Sequence, residues 1–419
     1  MDEVHKLPET DHRRIGHDLD LFTTSDLVGA GLPLFTPRGT VLRDQLLGFS
    51  EELQRQNGYQ KVFIPHITKE ELYKKSGHWD KFGGELFMVK SQETKDKMVL
   101  KPMNCPHHIQ IYASRLRSYR ELPVRYMEST VQYRDEKKGE LNGLSRVRAI
   151  SIDDAHVFCP LDQIEAEFTT IMEMIKHMYG VFGMKFRSRL SFRDDSSAYL
   201  GEAEDWATAQ KTIETVAKNL GLEYTVAEGD AAFYGPKIDI MVTDSLGREW
   251  QCATQQLDFV MPKRFELEYI DSDGSSKTPV MIHKALLGSF ERFLSVYIEH
   301  TAGRFPVWLA PEQIRIVTVN QEKAIVDFAL DIGRQAADLG LRAQVDSDNE
   351  TVAKKIHIAE AMKVPYTLVI GHKEQGSGKV SPRVRADMAV GAQSANLPVA
   401  NFLKSVANEA AARVSKSSL

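Results

Sequence analysis

The sequence predicts a mixed α/β (α+β) chain in two parts: a mostly antiparallel sheet surrounded by helices, then a smaller C-terminal α/β module. Three observations carry that expectation. The 419 residues are 42% hydrophobic and 26% charged, enough for two or three domains with cores of their own. Two stretches, 124–158 and 233–258, read as β-rich runs joined by polar, Gly-containing segments, the pattern of antiparallel pairs. After FPVWLAP (305–311) strands alternate with helical segments, as in a separate α/β module.

Taken in order, TVLRDQLLGFSEELQRQN (40–57) places Val41, Leu42, Leu46, Leu47 and Leu53 on one helical stripe, and Asn57-Gly58 supplies a stop. YQKVFI (59–64) reads as a strand that ends at Pro65, which cannot donate to a ladder. Within 124–158 the two β-rich runs flank the loop EKKGELNGLS (136–145). A period of two puts Arg146, Arg148, Ile150, Ile152, Asp154 and His156 on one face of the second run, and Glu128, Gln132 and Arg134 on one face of the first. Guanidinium, carboxylate and imidazole groups are costly to bury without partners, so that face is expected to look into a ligand site. A solvated outer face is the competing reading, because the opposite face is small and mostly apolar.

Residues 161–180 and 203–220 read as helices. FYGPKIDIMV and REWQCATQQLDF read as antiparallel strands joined by the turn TDSLGR. HKALLGSFERFLSVYIEHTAG (283–303) has apolar residues at helical spacing and closes the first part. The C-terminal module runs through IRIVTV, a helix near 322–339, RAQVD, a helix near 352–363, YTLVIG, a hairpin-like KVSPRV and a final helix, with a frayed KSSL tail.

Charge does not announce a nucleic-acid partner. Net charge is −5, split as −7 over residues 1–310 and +2 over 311–419. No run of eighteen apolar residues suggests a membrane span, and Met1-Asp2-Glu3 lacks the start of a signal peptide, so a cytoplasmic protein without membrane attachment is expected. The three cysteines, Cys105, Cys159 and Cys252, make no disulfide framework, in keeping with a reducing compartment.

Three distant residues stand in distinctive segments: Cys105 in KPMNCPHH, His156 in DDAHVF and His283 in MIHKALLGSFER. One Cys and two His suit a catalytic zinc, which keeps three protein ligands and an open position. Their gaps of 51 and 127 residues match no local metal motif, and on spacing alone a buried thiol and two satisfied histidines is the plainer reading.

Those segments, together with FIPHITKEELYKKSGHWD, YRDE, GLSRVRAISIDDAHVF, FYGPKIDI and QCATQQLDF, resemble the catalytic domain of the threonyl-tRNA synthetases, class II aminoacyl-tRNA synthetases. VPYTLVIGHKE and SGKVSPRVR resemble the anticodon-binding domain of class IIa members, so the resemblance covers nearly the whole chain. It implies a catalytic domain over 1–306 and an anticodon-binding domain over 307–419. Helix 40–57 and strand 59–65 would form the first class II motif and a homodimer interface; the hairpin would be the second motif, and 283–303 would hold the third.

The resemblance also implies one zinc per subunit on Cys105, His156 and His283, chelating the amino and hydroxyl groups of L-threonine, with Asp154 accepting from the hydroxyl and Tyr234 lining the substrate. For ATP, which would bring Mg²⁺, it implies Arg134 at the α-phosphate, Glu136 at the adenine amino group, Arg292 over the adenine, Arg146 at a phosphate, and Gln251. Guanidinium forks suit phosphate oxygens. His78 matches a base for the terminal ribose hydroxyl of tRNA(Thr), with an uninvolved surface histidine as the rival reading. Glu374, Arg383 and Arg385 match the anticodon-reading neighbourhood, where solvated surface charge is the rival.

The chain also departs from the family pattern. Ile150 stands where an aromatic residue stacks on adenine, Ile152 where a Gln precedes the two aspartates, and His107 where a Gly follows Cys-Pro. Family members commonly carry N-terminal domains, one of which hydrolyses Ser-tRNA. This chain begins at the linker before DHRRIGHDLDLF, so a form without cis-editing that makes measurable Ser-tRNA is expected. Two alternatives compete: a prolyl- or seryl-specific relative, with the Cys/His trio arguing against the prolyl one, and a non-catalytic paralogue that binds tRNA or senses an amino acid. A non-catalytic module would have no need of Arg134, Glu136 and Arg292.

Overall fold

The leucine stripe at 40–57 forms helix α1 (Pro37–Gln56), which ends ahead of Asn57-Gly58. The structure is a computed structural model describing residues 3–244, 247–390 and 396–419. The chain divides into two compact units, one of residues 25–33 and 47–296, the other of residues 1–24, 34–46 and 297–419.

The larger unit is built on one eight-stranded sheet. Its strands are β1 (Gln60–Lys61), β2 (Val124–Tyr133), β3 (Ala149–Cys159), β4 (Phe186–Phe192), β5 (Tyr224–Glu228), β6 (Lys237–Thr243), β7 (Glu249–Asp258) and β8 (Val280–Ser289), in the order β5-β4-β6-β7-β8-β3-β2-β1. The five inner pairings are antiparallel; the outer pairs β4/β5 and β1/β2 are parallel. Helix α2 (Cys105–Ala113) carries the CPHH segment, and α3 (Ile164–Phe182) buries Phe168, Ile171, Ile175 and Met178. Helix α4 (Ala203–Asn219) is the crossover that the parallel pair β4/β5 needs, and α5 (Phe290–Thr301) follows β8.

Several elements differ from the sequence reading. YQKVFI pairs in register with β2 only at Gln60–Lys61, after which the Val62 N–H donates to the Met127 carbonyl and the Ile64 N–H to the Glu128 carboxylate, both at 3.0 Å, and Phe63 is 83% exposed. The segment 283–303 is not helical throughout: residues 283–289 belong to strand β8, whose 280–288 stretch is buried on both faces, so no polar alternation marks it as a strand. Strands β4 and β5 are not anticipated. In the turn TDSLGR, Ser245 and Leu246 lie outside the described residues; its ends are joined by the Asp244 N–H donating to the Arg248 carbonyl at 2.9 Å.

In the smaller unit β9 (Ile314–Thr318) lies between parallel β10 (Ala343–Asp346) and β11 (Tyr366–Ile370), with β12 (Arg383–Val384) antiparallel to β11. Helices α6 (Lys323–Asp338), α7 (Val352–Ala361) and α8 (Val399–Ala411) complete it, and Ile316, Ile332, Leu368, Phe402 and Val406 lie in its core. KVSPRV is not a hairpin. Lys379–Val380 pairs with Leu397–Pro398, while Arg383–Val384 joins β11. The KSSL tail is docked rather than frayed. Ser417 is buried with its Oγ 2.7 Å from the Tyr366 hydroxyl, and the Ser418 N–H and hydroxyl both donate to Glu409 Oε1 at 2.6 Å. Tyr366 in turn donates to the other Glu409 oxygen. Tyr366→Phe would leave that buried carboxylate short of a donor, and a loss of about 1–3 kcal/mol is expected in denaturant unfolding of the chain; an unchanged midpoint would refute the arrangement.

No helix among the described residues is long and apolar enough to cross a membrane.

Candidate active site

Cross-strand register brings the chemistry-bearing residues onto one face of the sheet. One row runs Ser191, Lys237, Gln256, His283, His156, Tyr126; two residues along, a second runs Arg189, Asp239, Thr254, Ala285, Asp154, Glu128. Residues directly opposite share a face, so both rows project to the same side. His283 and His156 are immediate cross-strand partners. Cys105 comes from outside the sheet, at the start of α2 with Pro106 in the first turn, a position where the helix dipole favours a thiolate.

The ligand atoms of Cys105, His156 and His283 all lie within 4.8 Å of one another, and all three residues are buried. Each imidazole is oriented from behind. His283 Nε2 is 2.8 Å from Asp258 Oδ2, which leaves its Nδ1, buried without a hydrogen-bond partner, to face the trio. His156 Nδ1 is 2.7 Å from His108 Nδ1, leaving Nε2 inward, and His108 Nε2 lies 3.9 Å from Glu128. Such outer partners fix the tautomer of metal-bound histidines.

Electrostatics point the same way. Burial, then the carboxylates of Asp154 and Asp258, push the Cys105 thiol well above its ordinary range. Burial and the neighbouring histidines His108 and His283 hold His156 neutral. A buried thiol between two carboxylates ionises only beside a cation, and neutral imidazoles present lone pairs, so the donor set fits a zinc ion.

Asp154 accepts from Asn104 Nδ2 at 3.0 Å and Gln132 Nε2 at 3.2 Å, while burial raises its carboxyl above the usual range. Two carboxamides therefore already serve Asp154 where Ile152 supplies none. Ile150 and Ile152 are half-buried, opposite Gln132 and Thr130 on β2. Tyr234 stacks on His283 with centroids 4.5 Å apart, and its hydroxyl donates to Gln256. Gly235 beside it admits no side chain, since a Cβ there would fall 1.8 Å from the Leu257 carbonyl oxygen.

His78 is fully buried, so the surface reading does not hold. Its Nδ1 is 2.8 Å from Ser76 Oγ, its Nε2 is 3.4 Å from Cys105 Sγ, and burial drives its pKa down to about 3. That ring is placed to support the thiol. His107 is buried with neither ring nitrogen hydrogen-bonded, against Tyr73.

Arg134 follows β2 with its guanidinium 5.0 Å over the Phe82 ring and Nη2 3.2 Å from Met103 Sδ, while Nε is buried without a partner. Burial lowers its pKa, opposed by Glu136 and Glu85, and the side chain remains a cation with donors to spare. Glu136 accepts from Arg146 Nε at 2.8 Å, and Arg292 Nε donates to the Ser145 carbonyl at 3.2 Å. Gln251 donates to Asp239 at 2.7 Å.

Sequence reasoning missed Asp258, His108, Asn104, Lys237 and Asp239. Asp239 is fully buried and gathers Ser191, Lys237, Gln251, Thr254 and Arg189. The alternation Lys237-Ile238-Asp239-Ile240 could have signalled it, with two charges on one face of an apolar strand.

The anticodon candidates lie in the smaller unit. Glu374 accepts from the Gly371 N–H at 3.0 Å, and Arg383 is exposed, 3.8 Å from Glu360. Arg385 is engaged within the protein, donating to Asp387, the Lys363 carbonyl and the Phe305 carbonyl.

Comparison with known proteins gives a consistent result. Residues 87–301 match the tRNA synthetase class II core domain (G, H, P, S and T), and residues 313–409 match an anticodon binding domain. The threonine--tRNA ligase of Gloeobacter violaceus is 48% identical over 384 residues, 90% of this chain and 61% of that one. A threonine--tRNA ligase of Thermus thermophilus is 45% identical over 412 residues, 97% of this chain and 62% of that one, so the chain spans about three fifths of these relatives. Among solved structures, the RNA binding domain of threonyl-tRNA synthetase from Cryptosporidium parvum superposes with a TM-score of 0.90 at 34% identity, covering 97% of this chain and 99% of that one.

Proposed function

The chain belongs to the threonyl-tRNA synthetase family of class II synthetases, and from that premise we propose that it activates L-threonine with ATP and transfers it to the 3′ end of tRNA(Thr). The observation that carries the reading is the convergence of Cys105, His156 and His283 from three distant segments onto one buried point beside Asp154.

In the first step the threonine carboxylate attacks the α-phosphorus of ATP, brought as its Mg²⁺ complex, and pyrophosphate leaves. Arg134, with an unpartnered buried donor, would hold the α-phosphate oxygens and stabilise the charge that grows on them. Glu136 would accept from the adenine amino group, Arg292 would cover the base, and Arg146 and Gln251 complete the nucleotide contacts. Bound zinc would supply open coordination positions for the amino and hydroxyl groups of threonine. Asp154, held by Asn104 and Gln132, would accept from that hydroxyl, and Tyr234 would close the pocket over His283. In the second step the terminal ribose hydroxyl attacks the adenylate carbonyl and AMP leaves, with no protein nucleophile.

Residues 1–306 would form the catalytic domain and 307–419 the anticodon-binding domain. Arg383 and Glu374 would read anticodon bases, while Arg385 donates to the Lys363 and Phe305 carbonyls. The exposed Phe63 and Ile67, which follow α1 in the chain, suit burial against a second copy, in keeping with a homodimer.

The test is ATP–pyrophosphate exchange and charging of tRNA(Thr) by zinc-loaded protein. Exchange that depends on threonine supports the reading. No exchange with any amino acid would favour the non-catalytic alternative, with Ile150 and Ile152 as the marks of a retired site. Arg134→Ala is expected to lower kcat/KM for ATP by about 10²–10³-fold; a change under about threefold would remove Arg134 from the α-phosphate.

A further inference from the structure

Strand β3 turns Asp154 and His156 towards the site and Asp153 to the opposite side, where it is fully buried. Opposite Asp153 the pairing with β8 breaks. Ala285 still faces Asp154, but the next paired residue, Ser289, faces Ile152, so Leu286, Leu287 and Gly288 all stand against Asp153 alone. Such a bulge leaves consecutive N–H groups without a strand to donate to, and buried donors need an acceptor.

The Asp153 carboxylate takes all three. Leu286 N–H donates to Oδ2 at 3.1 Å, Leu287 N–H to both oxygens at 3.1 and 3.2 Å, and Gly288 N–H to Oδ1 at 3.1 Å. Ser50 of α1 donates its hydroxyl to Oδ2 at 2.7 Å. The bulge is also pinned from the β7 side, because Gly288 has φ of +71° and a Cβ there would lie 2.4 Å from the Cys252 carbonyl oxygen. Helix α5 starts two residues later. The Arg292 N–H donates to Ser289 Oγ at 3.2 Å, and Glu291 accepts from the Ser151 N–H at 2.9 Å.

We infer that Asp153 is a positioning residue for ATP: its carboxylate replaces the missing strand partner and fixes the bulge from which α5 aims Arg292. This rests on the proposed reading in which Arg292 covers the adenine. Asp153 itself faces away from the ligand side, and its hydrogen bonds go to Ser50 and the bulge rather than to Cys105, His156 or His283. Its loss therefore falls on the nucleotide and spares threonine. An Asn at 153 keeps one acceptor but turns an NH₂ towards N–H groups, so the bulge must relax, and a guanidinium displaced by a fraction of an ångström loses much of its contact.

The experiment compares Asp153→Asn, Ser50→Ala and Arg292→Ala with the parent in threonine-dependent ATP–pyrophosphate exchange on the zinc-loaded full chain. Asp153→Asn is expected to raise KM for ATP by about tenfold and Ser50→Ala by about threefold, with KM for threonine and the bound zinc unchanged. Equal rises in both KM values, or a fall in kcat alone, would make Asp153 a residue of general stability and overturn the inference. Arg292→Ala separates the two levels. If it leaves KM for ATP unchanged, the adenine reading of Arg292 fails; if it raises that constant while Asp153→Asn does not, only the positioning role fails. Should Asp153→Asn not fold, Ser50→Ala carries the same comparison, and an unchanged KM for ATP in it overturns the inference.

Discussion

Stripping the metal, or replacing any one of Cys105, His156 and His283 with Ala, is expected to abolish threonine activation, with kcat/KM falling on the order of 10³-fold or more, as when a buried polar site loses its partner. The three donors are buried and their ligand atoms lie within 4.8 Å of one another, a set that would suit a cation. Without it, Cys105 is a neutral thiol between Asp154 and Asp258, and His283 Nδ1 has nothing to bond. Asp258→Ala should act more gently. It frees the His283 ring without removing a donor, so zinc affinity is expected to fall about 10–100-fold and activity to return with added zinc. Exchange assayed alongside zinc stoichiometry checks both, and full threonine-dependent exchange by metal-free protein would sink the assignment.

How far the site was legible in the sequence depended on where its residues stand. The hairpin of β2 and β3 gave part of its face directly, because Asp154 and His156 alternate with Asp153 and Ala155, whereas Arg146 and Arg148, expected on the same strand face, precede β3. What orients the site was not legible. Asp258, His108 and Asn104 act through neighbours dozens of residues away, and nothing in a linear pattern pairs Asp258 with His283. β8 reads as helix because, along 280–288, it is buried on both faces, the case in which periodicity cannot arbitrate. The bulge at Leu286–Gly288 was hidden with it. Phe186–Phe192 escaped notice because Arg187 and Arg189 break its apolar run, although both arginines find carboxylates, Glu249 and Asp239. KVSPRV looked like a hairpin because Ser-Pro is turn chemistry, yet each half pairs with a different strand.

Valine is expected to support exchange at least about 10⁴-fold less well than threonine, and serine only about 10–200-fold less well. Valine fills the same volume but has no hydroxyl, so binding it would leave the second Asp154 oxygen without the donor that threonine brings, while Asn104 and Gln132 serve the other oxygen. Serine keeps the hydroxyl and lacks one methyl, a difference of about 1–3 kcal/mol in any apolar contact. Asp154→Asn separates the two effects: the carboxamide still fills the space but is a weaker acceptor, so threonine should lose most of its advantage over valine while the threonine-to-serine ratio stays near the parent value. If the valine ratio survived in Asp154→Asn, the hydroxyl would be read by the metal alone and the carboxylate would be serving the ring of His156, 3.7 Å away.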